Sequence, residues 1–242
     1  MSVPTGYELN TDQIAEYWRK GFIKISGLLS HKSLHEIDLE ANRLGKRHGL
    51  FTIQPNSKLR CDINGKPVYD RLEPVMPYST GFERLSTEPN LTQPISNLLG
   101  ENSSIFKEKL IYKPPGVEGY EPHQDYRYWD YLEIPADDIL TLMIFIDRSD
   151  SNSGALEVFP GSHKTKLPAP TDNPLDVDPN YLRTVPSELV CCEPGDAILF
   201  HAMLAHRSAR NKSTHTRRAW LSSWITGHWG NRYHQAYSDI LS

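Results

Sequence analysis

The sequence predicts a mainly β fold, a barrel, sandwich or jelly roll, supported by N-terminal helices. Three observations predict it. Helix-period spacing gives way beyond Gly49 to short β-like segments, five apolar β-rich runs recur from Ile105 onward, and Gly, Pro and Asn turn signals separate them all. Hydrophobic residues make up 38% of the 242 residues and charged residues 23%, so the chain can bury a core and lacks the composition of a disordered one.

The elements follow in order. Thr11 precedes Asp12, Gln13 and the apolar spacing Ile14, Tyr17, Trp18, which predicts an N-cap and a short amphipathic helix ending at Gly21. Residues 22–26 alternate with period two, as a strand does, and Ser30 or Ser33 then opens a second helix with Leu34, Ile37 and Leu44 near one face. Beyond it come β-like segments broken by Asn64-Gly65 and one further helix around residues 91–99. Strands are predicted at 106–113, 139–146, 155–160, 197–202 and 218–225. The stretch 164–187 is polar and proline-rich, too long for an ordinary connector, and is expected to be a lid.

Charge narrows the partners. A net charge of -4 and a pI near 6.2 leave no basic field to capture nucleic acid or an anionic membrane, and no apolar run reaches the roughly 18 residues that span a bilayer. The opening residues lack a signal-peptide profile, so the expected location is cytoplasmic; the oligomeric state stays open. Three cysteines, with Cys191 and Cys192 adjacent, favour free thiols over a disulfide framework.

Two clusters carry ligand-type residues. In the first, His123 and Asp125 flank Gln124, and residues two apart project to the same side of an extended chain. A third donor from another strand would complete the two-histidine, one-carboxylate face that holds iron in non-haem oxygenases. The second cluster supplies His201 and His206 on an apolar strand, followed by Ser208, Asn211, Ser213 and Arg217. As residue types alone, either histidine could be that third donor.

Taken together, His123-Gln124-Asp125, the segment NSGALEVFPGSHK and the series His206, Ser208, Asn211, Ser213, Arg217 resemble the phytanoyl-CoA dioxygenase family of Fe(II)- and 2-oxoglutarate-dependent oxygenases. The opening IAEYWRKGFIKISGLLSHKSLHEI is similar to that family too, while residues 49–101 and 164–187 carry little of the likeness. The resemblance implies a double-stranded β-helix forming a single domain over 1–242, with helical support over about 1–104 and a barrel core over about 105–228. It implies His123, Asp125 and His206 as iron ligands, with His206 lying 81 residues after Asp125, and a reaction with O2 and 2-oxoglutarate. By the same offsets Arg217 would bind the distal carboxylate of 2-oxoglutarate and Ser208 would add a hydroxyl; a guanidinium fork suits a carboxylate through its parallel donors.

Alternation along the last strand lets only one of Arg217 and Arg218 face inward, and the family offset selects Arg217. On that parity Ala219, Leu221 and Ser223 face in, leaving Trp220 and Trp224 to pack outside against the N-terminal helices. Lys109, Ile111 and Lys113 share a face, so the two lysines are candidates for the cavity lining. Tyr126, Tyr128 and Trp129 crowd the chain after Asp125 and are candidates for substrate contact.

The resemblance also implies, since related halogenases carry a small residue where this chain has Asp125, hydroxylation or another oxygenase outcome such as desaturation or ring closure. Expected substrates are small molecules, with natural-product tailoring foremost and an amino-phosphonate, reminiscent in KEKLIYKPPG, as the alternative. An acyl thioester is disfavoured, because no basic cluster offers a grip on the phosphates of coenzyme A. The reading from another class is a non-catalytic, cupin-like binding protein.

Overall fold

A computed structural model describes residues 6–53, 56–100 and 102–237. Its strands are β1 (Phe22–Ile25), β2 (Lys58–Cys61), β3 (Pro67–Leu72), β4 (Ser103–Lys113), β5 (Ile139–Phe145), β6 (Leu156–Val158), β7 (Glu188–Val190), β8 (Ala197–His201), β9 (His206–Ser208) and β10 (Arg217–Thr226). The helices are α1 (Thr11–Lys20), α2 (His31–Gly45), α3 (His48–Ile53), α4 (Thr80–Leu85), α5 (Pro89–Leu99), α6 (Pro179–Leu182) and α7 (Tyr233–Ala236).

Seven antiparallel strands form the larger sheet in the order β1-β8-β5-β10-β4-β3-β2, and the smaller sheet runs β7-β6-β9. The backbones of His123 and His206 exchange both hydrogen bonds, at 3.0 and 3.1 Å, so the segment before Asp125 extends the smaller sheet beyond β9. The two sheets form a jelly roll, with period-two alternation deciding what each residue meets. Met143, Phe145, Ile198, Phe200 and Ala219 pack inward against Leu156, Val158 and Leu204, whereas Leu142, Ile144, Leu199, Trp220 and Trp224 pack outward with Tyr17, Ile37 and Ile95 of the helices. The predicted placement of both tryptophans outside the barrel is what the structure shows.

Differences from the sequence reading are local. Asn10, not Thr11, caps α1: its side chain accepts from the Gln13 N–H while Gln13 returns a bond to the Asn10 N–H. Ser30 caps α2, and Gly21 ends α1 at φ 88°, the left-handed turn that glycine adopts without strain. Helices α3 and α4 and strands β7 and β9 escaped prediction because three to six residues are too few to display a period.

The stretch 164–187 is pinned at several points. Leu167, Val177 and Leu182 are buried with Phe159 and Ala205, and the Leu167 N–H donates to Gln124 Oε1 at 3.0 Å. The Arg127 guanidinium donates to the carbonyls of Leu167, Pro174 and Asp176, and the Val177 N–H donates to the Pro122 carbonyl at 2.7 Å. Leu167, Val177 and Leu182, sparse in the sequence, each enter a socket, whereas Leu175 and Tyr181 of the same stretch stay exposed. Amide exchange at Val177 and Asp178 is therefore expected to be slow in the ligand-free protein, measured by hydrogen exchange; rapid exchange there, slowed only by cosubstrate and substrate, would restore a lid hinged at this point.

Candidate active site

The carboxylate and both imidazoles converge at one end of the barrel. One donor atom each from His123, Asp125 and His206 lies within 4.8 Å of the others. Their placement follows from three local facts. Gln124 is extended, so His123 and Asp125 share a side while the Gln124 side chain points away, donating to the carbonyls of Met203 (2.7 Å) and Thr165 (2.9 Å). Asp125 begins a 3-10 turn, Asp125–Tyr128, immediately after the paired segment. His206 opens β9 directly opposite His123.

Second contacts orient the rings. His123 Nδ1 lies 2.7 Å from the Glu121 carbonyl and His206 Nδ1 lies 2.9 Å from the Leu204 carbonyl. A carbonyl can only accept, so both Nδ1 atoms carry the proton and both Nε2 lone pairs are left to ligate. Burial pushes His206 down to about 4, with the neighbouring His123 adding to the effect, so its imidazole is neutral at physiological pH. Burial opposes the charge of Asp125, but its close neighbours His123 (Nε2 at 3.5 Å), His206 and Lys109 outweigh it and hold the carboxyl well below its usual range. Two imidazoles and one carboxylate suit a divalent first-row metal, and the arrangement fits iron.

The same cavity is lined by Arg217, 2% exposed, with Lys109, Ile111, Met143, Phe200 and Leu221 among its walls. Its Nη2 donates to the Gly154 carbonyl at 3.2 Å, while Nε and Nη1 are buried without a hydrogen-bond partner. Burial lowers Arg217 to about 10, which leaves it charged at neutral pH. A buried cation with two idle donors is costly unless an anion joins it. Arg218 takes the opposite face, paired with Asp147 (2.6 Å) and Asp38 (2.7 Å).

Ser208 also lines this cavity, its hydroxyl accepting from Lys113 Nζ (3.0 Å) and the Tyr120 N–H (3.1 Å). Both acceptor positions being used, the hydroxyl proton is free to donate to an anion seated beside Arg217. Glycines permit this close packing. A Cβ on Gly154, at φ 72°, would meet the Ala209 carbonyl at 2.3 Å and Lys113 Nζ at 2.7 Å, and one on Gly119 would meet the Ser208 carbonyl at 1.6 Å. Asn211 and Ser213 of the sequence motif shape the turn: Asn211 donates to the carbonyls of Lys113 and His215 and accepts from Ser213.

Other candidates are distributed differently. Lys109 lines both the cavity and a wider cleft outside it. Lys113 faces inward as predicted but does not line the cavity; its amine is held by the carbonyls of Gly154 and Ala209 and by Ser208, and burial together with Arg217 pushes it down to about 6. Contact between Lys113 and a substrate is therefore corrected to support of Ser208. Tyr126 is corrected likewise: its ring packs with Phe106 and Trp129 and its hydroxyl donates to the Ile134 carbonyl, since a 3-10 turn puts residues three apart on one side, so Tyr128 follows Asp125 to the opening and Tyr126 does not. Tyr128, its ring 6.0 Å from His123, and Trp129 do line the outer cleft.

His201 stands apart from the donor cluster. Its Nδ1 accepts from the Met203 N–H, its Nε2 meets Asp137 at 3.1 Å, and its ring lies among Tyr17, Trp18 and His163. Cys61, Cys191 and Cys192 are free, and no helix among the described residues is long and apolar enough to cross a membrane.

The outer cleft, about 450 Å³, was not foreseen as a feature. Lys58 and Arg60 of β2, Arg71 of β3 and Lys107 of β4 join Lys109 there, five cations from three strands brought together by strand pairing.

The family model "Phytanoyl-CoA dioxygenase (PhyH)" matches residues 17–219. Methylphosphonate hydroxylase of Gimesia maris is 28% identical over 70% of this chain and 63% of its own length. The human peroxisomal phytanoyl-CoA dioxygenase is 30% identical over 87% of this chain and 67% of its own length. Among solved structures, the epimerase SnoN in complex with Fe3+, alpha ketoglutarate and nogalamycin RO superposes with a TM-score of 0.73 at 22% identity, over 89% of this chain and 83% of SnoN.

Proposed function

Because this chain belongs to the phytanoyl-CoA dioxygenase family of Fe(II)- and 2-oxoglutarate-dependent oxygenases, we propose that it oxidises a C–H bond of a small molecule, by hydroxylation or oxidative ring closure. The observation that carries this reading is the pairing of the His123, Asp125 and His206 donor set with a buried, half-unpartnered Arg217 in one cavity. When bound, the iron and 2-oxoglutarate supply the oxidising chemistry with O2, consuming 2-oxoglutarate to succinate and CO2.

The chain supplies position, charge and dryness. His123, Asp125 and His206 hold the metal, with Nε2 of each ring presented by its carbonyl-bound Nδ1. Arg217 and Ser208 take the distal carboxylate of 2-oxoglutarate, matching its charge with a cation already desolvated. Met143, Leu156, Phe200 and Leu221 line the cavity with apolar surface that excludes water from the reacting centre. The substrate enters through the outer cleft, where Tyr128 and Trp129 flank the opening.

Natural-product tailoring is the first reading of the substrate, supported by the fold shared with SnoN; a compact phosphonate is the second, and the cations of the cleft favour it. The test is succinate release from protein, Fe(II), 2-oxoglutarate, O2 and a panel of both substrate kinds. Succinate formed in step with an oxidised product is expected. A protein that binds a panel member tightly and releases no succinate with any of them would instead be the non-catalytic binding protein.

A further inference from the structure

The cleft outside the donor set is electropositive in an acidic protein. Three adjacent strands deliver five cations to it: Lys58 and Arg60, Arg71, and Lys107 with Lys109. Their neutralisation is incomplete. Asp70 serves Arg60 at 3.5 Å, and Glu73 alone serves both Arg71 (3.3 Å) and Lys107 (3.0 Å). Among the described residues, Lys58 and Lys109 have neither a carboxylate nor a hydrogen-bond partner within contact distance. The remaining acids of the lining are engaged elsewhere: Asp125 belongs to the donor set, Asp176 accepts from Asn173 at 2.8 Å, and Glu121 lies near Arg207.

Two cations sharing one carboxylate, with two amines unpaired beside them, leave an excess of about three positive charges. Such a group repels itself unless an anion joins it. Position then limits what the anion can be. Lys109 lines the cavity and the cleft together, next to Asp125, so a group seated on it lies close to the carbon being oxidised.

We propose that the cleft is an oxyanion subsite, in which Lys109 and Lys58 bind a phosphonate or phosphate group carried by a compact substrate, with Arg71 and Lys107 behind them. This rests on the oxygenase reading above. It takes up the second substrate reading given there, a short molecule whose dianionic head lies within a few atoms of the reacting C–H bond, and names its binding site. In a long thioester the nucleotide phosphates lie far from the reacting carbon, and Lys109 would be misplaced to reach them.

Anaerobic calorimetric titration of the Fe(II)- and 2-oxoglutarate-loaded protein tests this with methylphosphonate, inorganic phosphate and coenzyme A as probes. Methylphosphonate and phosphate are expected to bind and to weaken steeply with salt. Lys109→Met should reduce their affinity at least about tenfold and Lys58→Met about threefold, while the affinity for 2-oxoglutarate, titrated separately, stays within about twofold. Failure of both small anions to bind overturns the proposal. So does a Lys109→Met protein that loses 2-oxoglutarate instead, which would assign the amine to the cosubstrate, or coenzyme A binding more tightly than either small anion through Lys58. A wild-type protein that binds no 2-oxoglutarate would overturn the oxygenase reading itself, a result separate from the others.

Discussion

His206→Ala is expected to lower Fe(II) affinity by more than about a hundredfold and to abolish turnover, measured by anaerobic equilibrium dialysis and succinate release. The magnitude follows from the role: loss of a partner that merely orients a ligand costs about ten- to a hundredfold, and removal of the ligand itself costs more. Asp125→Gly should behave similarly, since it deletes the one carboxylate of the set. His201→Ala is the control. Its imidazole is buried among Tyr17, Trp18 and His163 with both nitrogens engaged, so its loss should cost about 1–3 kcal/mol of stability and leave metal stoichiometry intact. Full Fe(II) binding by His206→Ala together with its absence in His201→Ala would reverse the assignment.

The second large effect is at Arg217. A charge-assisted bond is worth about 1.5–3 kcal/mol, and a carboxylate stranded in an apolar cavity adds to the loss, so Arg217→Ala should weaken 2-oxoglutarate binding by at least about tenfold. Arg217→Lys keeps the charge without the fork and should fall between. Without cosubstrate the same Arg217→Ala change should leave stability nearly unchanged or raise it, because Nε and Nη1 are buried without partners. Arg218→Ala should do the opposite. It breaks the ties from β10 to Asp147 and to Asp38 of α2, lowering stability while sparing 2-oxoglutarate affinity. Titration of 2-oxoglutarate against these variants in anaerobic Fe(II) solution, beside their denaturant midpoints, separates the two arginines; a larger affinity loss at 218 than at 217 would contradict the observed facing.

Much of the site was legible because its signals are local. Side chains alternate along a strand, so His123 and Asp125 share a side, and Arg217 faces in while Arg218 and Trp220 face out, whatever the rest of the chain does. The glycine and proline turns likewise mark where strands end. The choice between His201 and His206 is different in kind: both occupy one apolar stretch, and residue types alone leave them equal. Only the pairing of His206 with His123 across the smaller sheet brings its ring to Asp125, while the turn at 202–205 leaves His201 against α1.

Lys113 and Tyr126 show the converse, since a residue can lie on the right face or beside the right motif and still have its polar atom taken by a neighbouring carbonyl. The cleft shows it most fully. An overall charge of -4 excluded a basic field, yet Lys58, Arg60, Arg71, Lys107 and Lys109 form one. Net charge sums over the whole surface, whereas a binding field depends on which charges lie within a Debye length of one another. The amino-acid sequence by itself determined the donor types, their spacing and the inward face of each strand. The tertiary structure decided which strands lie side by side, and with that which histidine joins His123 and Asp125 and which cations gather at the cleft, because strand pairing between residues far apart in the chain has no local signature.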